Sequence, residues 1–492
     1  MQLKDYFRKK PISAYSSDIK SSELTRTLGK WELTAIGVGA VIGGGIFVLT
    51  GVAANLYAGP ALALSFILAG IGCLFAALCY AEFASILPVS GSAYAYSYGT
   101  VGEMFAWFIG WNLILEYMMG ATTVAVSWSK YFVKLLHLAG IHNIPVWLVN
   151  DPITANEEAI KLGQAPVHFA INLPAGLIVW LVTWILFRGI RESARVNNAI
   201  VALKVAAVLF VIGVGIFYID PSNWHPFVPE RITDTTGAHH YGFAGVLTAA
   251  GIVFFAFIGF DAVSTQSQEA VNPTKDIPFA IIASLVICTT LYILVSLVLT
   301  GMVNYKTIDL GAPVASAFDV AGLGWASLLI TIAAVIGLIS VMLVMLLSQT
   351  RIFLNMAKDG LLPPKMFADI HARFKTPWKS TILLGVLASI IAAVTPIEKA
   401  TKMTSIGTLF AFAMICGAVL ILRKKEPSIH RPYKVKNIKL VAPLGIAFNL
   451  LLMISLDSAT WLRFVIWSVI GLLVYLGYGA KHSKLHTNKT TE

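Results

Sequence analysis

Apolar residues run through this chain in long blocks separated by short polar stretches, and a block of about 20 such residues is what a helix needs to cross a bilayer. Such blocks lie near 33–57, 61–87, 105–129, 168–187, 198–218 and 243–264. A second set lies near 279–302, 323–349, 380–396, 403–422, 438–455 and 462–480. The pattern predicts an all-α polytopic membrane protein with twelve transmembrane helices, since helices satisfy their own backbone in lipid.

Two of the blocks are interrupted. No Asp, Glu, Lys, Arg or His occurs between Glu32 and Glu82, yet Val41-Ile42-Gly43-Gly44-Gly45-Ile46-Phe47 places three adjacent glycines inside that stretch. Each glycine costs about 1 kcal/mol relative to alanine in a helix interior, and a broken helix at membrane depth must line a cavity within protein. The sixth block carries Gly251 and Gly259. Interruptions at corresponding places in blocks one to five and six to ten point to an inverted repeat with a binding site at the bilayer midplane. Close helix packing is the other use of membrane glycines, though packing glycines recur at intervals of four and are not adjacent.

Composition agrees with a membrane location: 57% of the 492 residues are hydrophobic and 12% charged, with a mean hydropathy of +0.77. Of the 36 Lys and Arg residues, 27 fall in the chain ends and the loops of one side, which the positive-inside rule makes cytoplasmic. Both termini are therefore expected in the cytoplasm. The net charge of +11 is accounted for by this topology and by anionic lipid, and nothing signals nucleic acid. Cys73, Cys79, Cys288 and Cys416 all lie within predicted spans without metal-ligand spacing, so neither a metal, a disulfide framework nor a cofactor is expected. The first thirty or so residues are polar and basic, unlike a cleaved secretory signal. Outside loops at 134–166 and 219–242 read as irregular or partly helical. The chain thus divides into a cytoplasmic segment 1–30, a ten-helix core 31–422, two further helices with a basic loop at 423–480, and a tail 481–492.

At the first break the N–H groups of Gly44 and Gly45 stand at the start of a half-helix, where the dipole attracts a carboxylate. Carbonyls ending the preceding half, such as that of Val41, would accept from an ammonium group. Together they would read the common part of an amino acid. Phe254-Phe255-Ala256-Phe257-Ile258-Gly259-Phe260 would supply further carbonyls and aromatic cover.

Ile42-Gly43-Gly44-Gly45-Ile46-Phe47 is followed by Tyr80-Ala81-Glu82, Pro88-Val89-Ser90-Gly91-Ser92-Ala93-Tyr94-Ala95-Tyr96 and Ile109-Gly110-Trp111-Asn112-Leu113-Ile114-Leu115-Glu116-Tyr117. Then come Ser193-Ala194-Arg195-Val196-Asn197-Asn198, Phe257-Ile258-Gly259-Phe260-Asp261, Glu269-Ala270-Val271-Asn272-Pro273 and Met356-Ala357-Lys358-Asp359-Gly360-Leu361-Leu362-Pro363. In this order they resemble the amino acid-polyamine-organocation superfamily, and most closely the bacterial relatives of the cationic amino acid transporters. The resemblance implies the leucine-transporter-like fold, with five-plus-five inverted repeats and two added C-terminal helices. It also implies a carboxylate site at Gly44 and Gly45 beside Gly43, ammonium acceptors at the carbonyls of Val41, Phe255 and Ile258, and an aromatic gate at Phe255. By family position Leu343 and Met345 line a side-chain pocket, although lipid or helix packing would explain either one alone.

Lys204 stands among apolar residues in the fifth block. A lysine there either snorkels to the interface or, when buried, alternates between charged and neutral forms. It resembles the lysine that occupies a sodium position in proton-coupled relatives, which favours proton over sodium coupling. Glu116, in the third block, must pair, face a polar interior or be protonated; it would help couple protons or hold a helix contact. Animal cationic transporters carry a small polar residue at the matching place, so Glu116 departs from their pattern. Glu82 and Asp261 fall near predicted cytoplasmic span ends, as gate or helix-end residues, while Arg351 and Asp359 read as loop residues.

These readings converge on a secondary transporter of the cell membrane that imports L-amino acids with protons by alternating access, its partners being substrate, proton and membrane lipid. An exchanger of amino acids or polyamines is the nearest alternative, and a nontransporting amino acid sensor is one of another class. The chain has no HExxH, GxSxG or P-loop pattern, so no catalytic residue is assigned. The apolar candidates Phe255, Leu343 and Met345 offer no partner for a cationic side chain, which leaves neutral or diverse amino acids as plausible as cationic ones.

Overall fold

A computed structural model describes residues 8–10, 26, 28–87, 92–161, 163, 165–167, 169–189, 194–233, 239–267 and 269–487. Pro88 to Gly91 and Ser193 of the motifs above lie outside the described residues, as do most of segment 1–30 and the tail from 488 on.

Each apolar block is helical. The first is split into α1 (Lys30–Val41) and a second half beginning at Gly45. There follow α2 (Leu62–Ile86), a short α3 (Ser92–Thr100), and α4 (Glu103–Leu138). Beyond α5 (Pro152–Lys161) in an outer loop come α6 (Leu173–Arg188) and α7 (Ala194–Gly215). The sixth block begins as α8 (Gly242–Val253), and α9 (Pro273–Met302), α10 (Pro313–Val320) and α11 (Gly324–Lys358) come next. The chain ends with α12 (Trp378–Val394), α13 (Ile397–Lys425), α14 (Ile438–Ile454) and α15 (Ser458–Val474).

Among the described residues, seven helical stretches are long and apolar enough to cross a membrane, and α6, α12 and α14 are shorter apolar helices. The chain is a polytopic membrane protein. Helix α4 runs past its predicted end at 129 because Lys130 and Lys134 find acidic partners there: Glu158 at 3.8 Å and Asp319. The loop 219–242 holds a tight helical turn at Pro221–Trp224 and a two-residue antiparallel ribbon, Ile232–Thr233 on His239–His240.

Packing partners repeat with an offset of five apolar blocks. Helix α2 lies along α9, α4 along α11, and α6 along α12. Helix α7 packs on α1, α9 and α11, while α13 packs on the sixth block, α2 and α4. The last two helices lean on this core. Trp107 Nε1 on α4 donates to Gly471 O at 2.9 Å, Trp111 Nε1 to Trp467 O at 2.8 Å, and Trp467 Nε1 returns to Trp111 O at 3.2 Å. The Trp111 and Trp467 rings stack at 4.5 Å. A Cβ at Gly471 would come within 2.5 Å of the Trp111 ring. The opposite face of α15, with Leu462, Val465, Ile466 and Leu473, is exposed and apolar, as lipid contact requires.

Candidate functional site

The glycine run does break its helix. Ile42 N still donates to Val38 O at 2.9 Å, but Ile42 itself turns extended (ψ 103°), and the chain resumes from Gly45 as a wider π-type turn. Among the described residues the N–H groups of Gly43 and Gly44 donate no hydrogen bond. Three glycines in a row also let three neighbours approach. A Cβ on Gly43 would lie 3.2 Å from Val341, one on Gly44 2.8 Å from Ser127 Oγ, and one on Gly45 2.4 Å from Ala256 Cα.

The second break differs from expectation in position. Gly251 lies inside α8, packed against Leu456 and Ser455 of the α14–α15 turn, so it is a packing glycine. The interruption begins at Phe254, where a tight turn, Phe254–Phe257, is followed by extended Ile258 (ψ 132°) and Gly259 at φ 119°. A Cβ on Gly259 would sit 2.9 Å from Ala40 O. The two breaks therefore touch through backbone at Gly45–Ala256 and at Gly259–Ala40. Tyr292 on α9 joins them: its hydroxyl lies 2.9 Å from both Val41 O and Ala256 O.

Of the predicted acceptors, Val41 O already receives this hydroxyl, and Phe255 O receives Ile258 N at 3.1 Å. A carbonyl has two lone pairs, so each keeps one for a ligand. Phe255 is buried at the break, and Tyr131 from α4 donates to Phe47 O at 2.8 Å just past the first break. Met345 faces Gly120 of α4, where a Cβ would meet its sulfur at 2.9 Å. Leu343 is two residues away, hence about 200° around α11, and is only partly buried.

Lys204 does not snorkel. It is 1% exposed, and its ammonium donates to Gly39 O at 2.7 Å, one turn before the first break. Its stem lies along Gly337 of α11, where a Cβ would come within 2.9 Å of it. Glu116 is fully buried on α4, and among the described residues neither carboxylate oxygen has a hydrogen-bond partner. Its charged neighbour is Asp261. Asp261 is fully buried just past Gly259 and accepts from Tyr117 OH at 3.0 Å. Glu82 is a tie between helices, clasped by Arg423 at 2.5 and 2.8 Å and by Val435 N at 2.9 Å.

Sequence reasoning missed Tyr292, Ser127 and Tyr131. A single tyrosine or serine in an apolar helix carries no spacing signal, and only the folded approach of α9 and α4 to the breaks reveals these three. It also missed the network of Tyr57, Glu398, Lys402 and Asp457, in which Lys402 pairs with Glu398 at 2.6 Å and Asp457 at 2.9 Å. Burial opposes ionisation of Asp457, but the hydrogen bond and charge of Lys402 outweigh it and hold this carboxyl below its ordinary range.

Comparison with known proteins places the chain. Residues 28–482 match the model of the amino acid permease family. The chain is 45% identical, over 98% of its length, to the methylthioribose transporter of Bacillus subtilis, all of which it covers. It is also 45% identical over 98% to the branched-chain amino acid permease BcaP of the same organism, covering 99% of that protein. It is 37% identical over 82% to the vacuolar cationic amino acid transporter 4 of Arabidopsis thaliana, covering 64% of it.

Proposed function

Given that the chain belongs to the amino acid permease family of the amino acid-polyamine-organocation superfamily, a class of transporters and not of enzymes, we propose that it imports L-amino acids across the cell membrane with protons. The observation that carries this reading is the meeting of two broken helices, one in which the N–H groups of Gly43 and Gly44 donate no hydrogen bond among the described residues and the other in which a tight turn gives way to extended Ile258. The N–H groups of Gly44 and Gly45, beside Gly43, hold the carboxylate. The carbonyls of Val41, Phe255 and Ile258 hold the ammonium, and the ring of Phe255 closes over the bound molecule. Because donors and acceptors both belong to backbone, the site reads the shared part of an amino acid and leaves the side chain to Met345 and its neighbours, Leu343 being turned to another face of α11.

Transport follows if the blocks carrying the breaks rock against α4 and α11. The packing offset of five blocks supports the inverted repeat and the twelve-helix topology, and the Lys and Arg excess in the chain ends and the loops of one side supports cytoplasmic termini. Lys204 links this motion to the proton. Protonated, it holds the carbonyl end of α1 through Gly39; neutral, it loses the charge that strengthens that bond. Glu116, fully buried on α4 beside Asp261, is a second proton site.

Uptake into proteoliposomes at two outside pH values, after a thermal-shift panel of the common L-amino acids and methylthioribose, tests the reading. Saturable accumulation of neutral L-amino acids that rises as outside pH falls is the expected result. Accumulation only when substrate is preloaded would make the protein an exchanger, and binding without flux would make it a sensor. One specific observation favours a second reading. The 45% identity to a protein named for methylthioribose would be explained by binding of a sugar thioether, and a shift by methylthioribose with none by amino acids would establish it.

A further inference from the structure

We propose that the two ends of the chain form a single latch that locks the short helix α3 under the second break and so holds the cytoplasmic mouth shut. The inference rests on the alternating-access reading above. Two acidic residues organise it, Glu103 at the start of α4 and Asp359 at the end of α11. Each is held by both ends of the chain.

From the N-terminal side, Arg8 O accepts from Glu103 N at 2.8 Å, and Lys10 Nζ pairs with Asp359 Oδ1 at 3.1 Å. From the C-terminal side, Ser483 Oγ donates to Glu103 Oε2, and Lys484 N donates to Asp359 O at 3.1 Å. Tyr475, near the end of the last apolar block, adds a second hydroxyl contact, to Glu103 Oε1 at 3.0 Å. The tail docks so closely that only glycine is accommodated at 360, where φ is 84° and a Cβ would lie 2.3 Å from His482 O. These are groups of a built interface, since Glu103 is only 2% exposed.

Helix α3 is threaded through the same contacts. Tyr98 O accepts from Lys10 N at 3.1 Å, Tyr98 OH donates to Glu103 at 3.1 Å, and Tyr94 OH donates to Asp359 Oδ2 at 2.9 Å. Its other side packs on residues Phe260–Gln266, the inner half of the second broken helix, and on α13. Tyr96 stacks on Phe83 of α2 at 5.5 Å. Helix α3 is thus a wedge between the helices that carry the breaks and those against which they rock. Opening the inner mouth requires the wedge to shift. The latch opposes that shift with contacts from α4, α11 and both termini at once, none of them involving the substrate site.

The test is the rate at which an impermeant maleimide, added from the cytoplasmic side, labels a Ser264→Cys reporter in full-length protein. Ser264 is buried on that inner half-helix. Lys10→Ala is expected to speed labelling about threefold, as loss of one partly exposed ion pair does. Lys10→Ala combined with Gly360→Ala, which undocks the tail, is expected to speed it about tenfold or more because the two contacts share one element. Lys10→Arg should label like the parent. If Gly360→Ala does not reach the membrane, truncation after His482, which removes Ser483 and Lys484, replaces it. Equal or slower labelling in folded variants overturns the latch. A parent that moves no amino acid but whose variants label faster keeps the latch and refutes the transport reading; unchanged labelling in a transporting parent does the reverse.

Discussion

In the first broken helix three glycines strip away side chains, leave the N–H groups of Gly43 and Gly44 without acceptors among the described residues, and let Ser127, Val341 and Ala256 close in from three sides. In the second, aromatic residues remain on the turn, a single glycine at φ 119° reverses the chain, and the carbonyls stay partly engaged by Ile258 N and Tyr292. One break is a set of open donors, the other a set of half-used acceptors. The difference teaches how an uncharged backbone can tell the two ends of a zwitterion apart. The carboxylate demands bare N–H groups at the start of a half-helix, whereas an ammonium can share a carbonyl that already has one partner.

The hardest way to break this arrangement is to push the two segments apart. Gly45→Ala places a methyl 2.4 Å from Ala256 Cα, and overpacking against backbone costs about 1–3 kcal/mol or more. We expect amino acid uptake to fall by at least about 100-fold, while Gly251→Ala, whose nearest neighbours lie at 3.1 Å or beyond and which lies outside the break, keeps most activity. Equal losses in the two variants would refute the assignment of the break.

Lys204→Ala comes next. It leaves Gly39 O without its ammonium donor, a loss of about 1–3 kcal/mol, and uptake in the variant should no longer rise as outside pH falls. An uptake profile in Lys204→Ala that still follows the proton gradient would dismiss this residue as the coupling site. Tyr292→Phe sharpens the comparison, since it removes one hydroxyl from both breaks. Loss of a hydrogen bond worth about 0.5–1.5 kcal/mol should weaken amino acid binding by a few-fold in calorimetry. It should weaken an amino acid and its α-amide alike, because Tyr292 acts on acceptors. The smallest effect is expected from Met345→Leu, a volume-conserving change costing less than about 1.5 kcal/mol. It should reorder preference among neutral side chains in competition assays without altering the requirement for an α-carboxylate.

Much of this was readable in the chain because membrane helices obey few rules. Twelve apolar blocks had to become helices, and three consecutive glycines had to mark a break. Gly251 misled because an isolated membrane glycine reads the same whether it serves a break or a close helix contact; here Leu456 and Ser455 occupy its open side. Asp359 read as a loop residue, since nothing local tells that Lys10 and Lys484, both far off in sequence, converge on it. Lys204 was ambiguous between an interface and an interior for want of a helix boundary, and the carbonyl of Gly39 supplies the missing partner. Tyr292 was invisible for the same reason as Asp359: its meaning lies in the carbonyls of two segments 36 and 251 residues away.

The bank of indoles between α4 and α15 bears on how the last two helices are to be regarded. Considered only as additions to a ten-helix machine, they could be cut away. Yet Trp107 and Trp111 give their indole N–H donors to carbonyls of α15, and excision would leave both donors facing hydrocarbon, at about 1–3 kcal/mol each. What looks like an appendage by counting is inseparable by solvation, and a minimal transporter carved from this chain would first need its two tryptophans replaced.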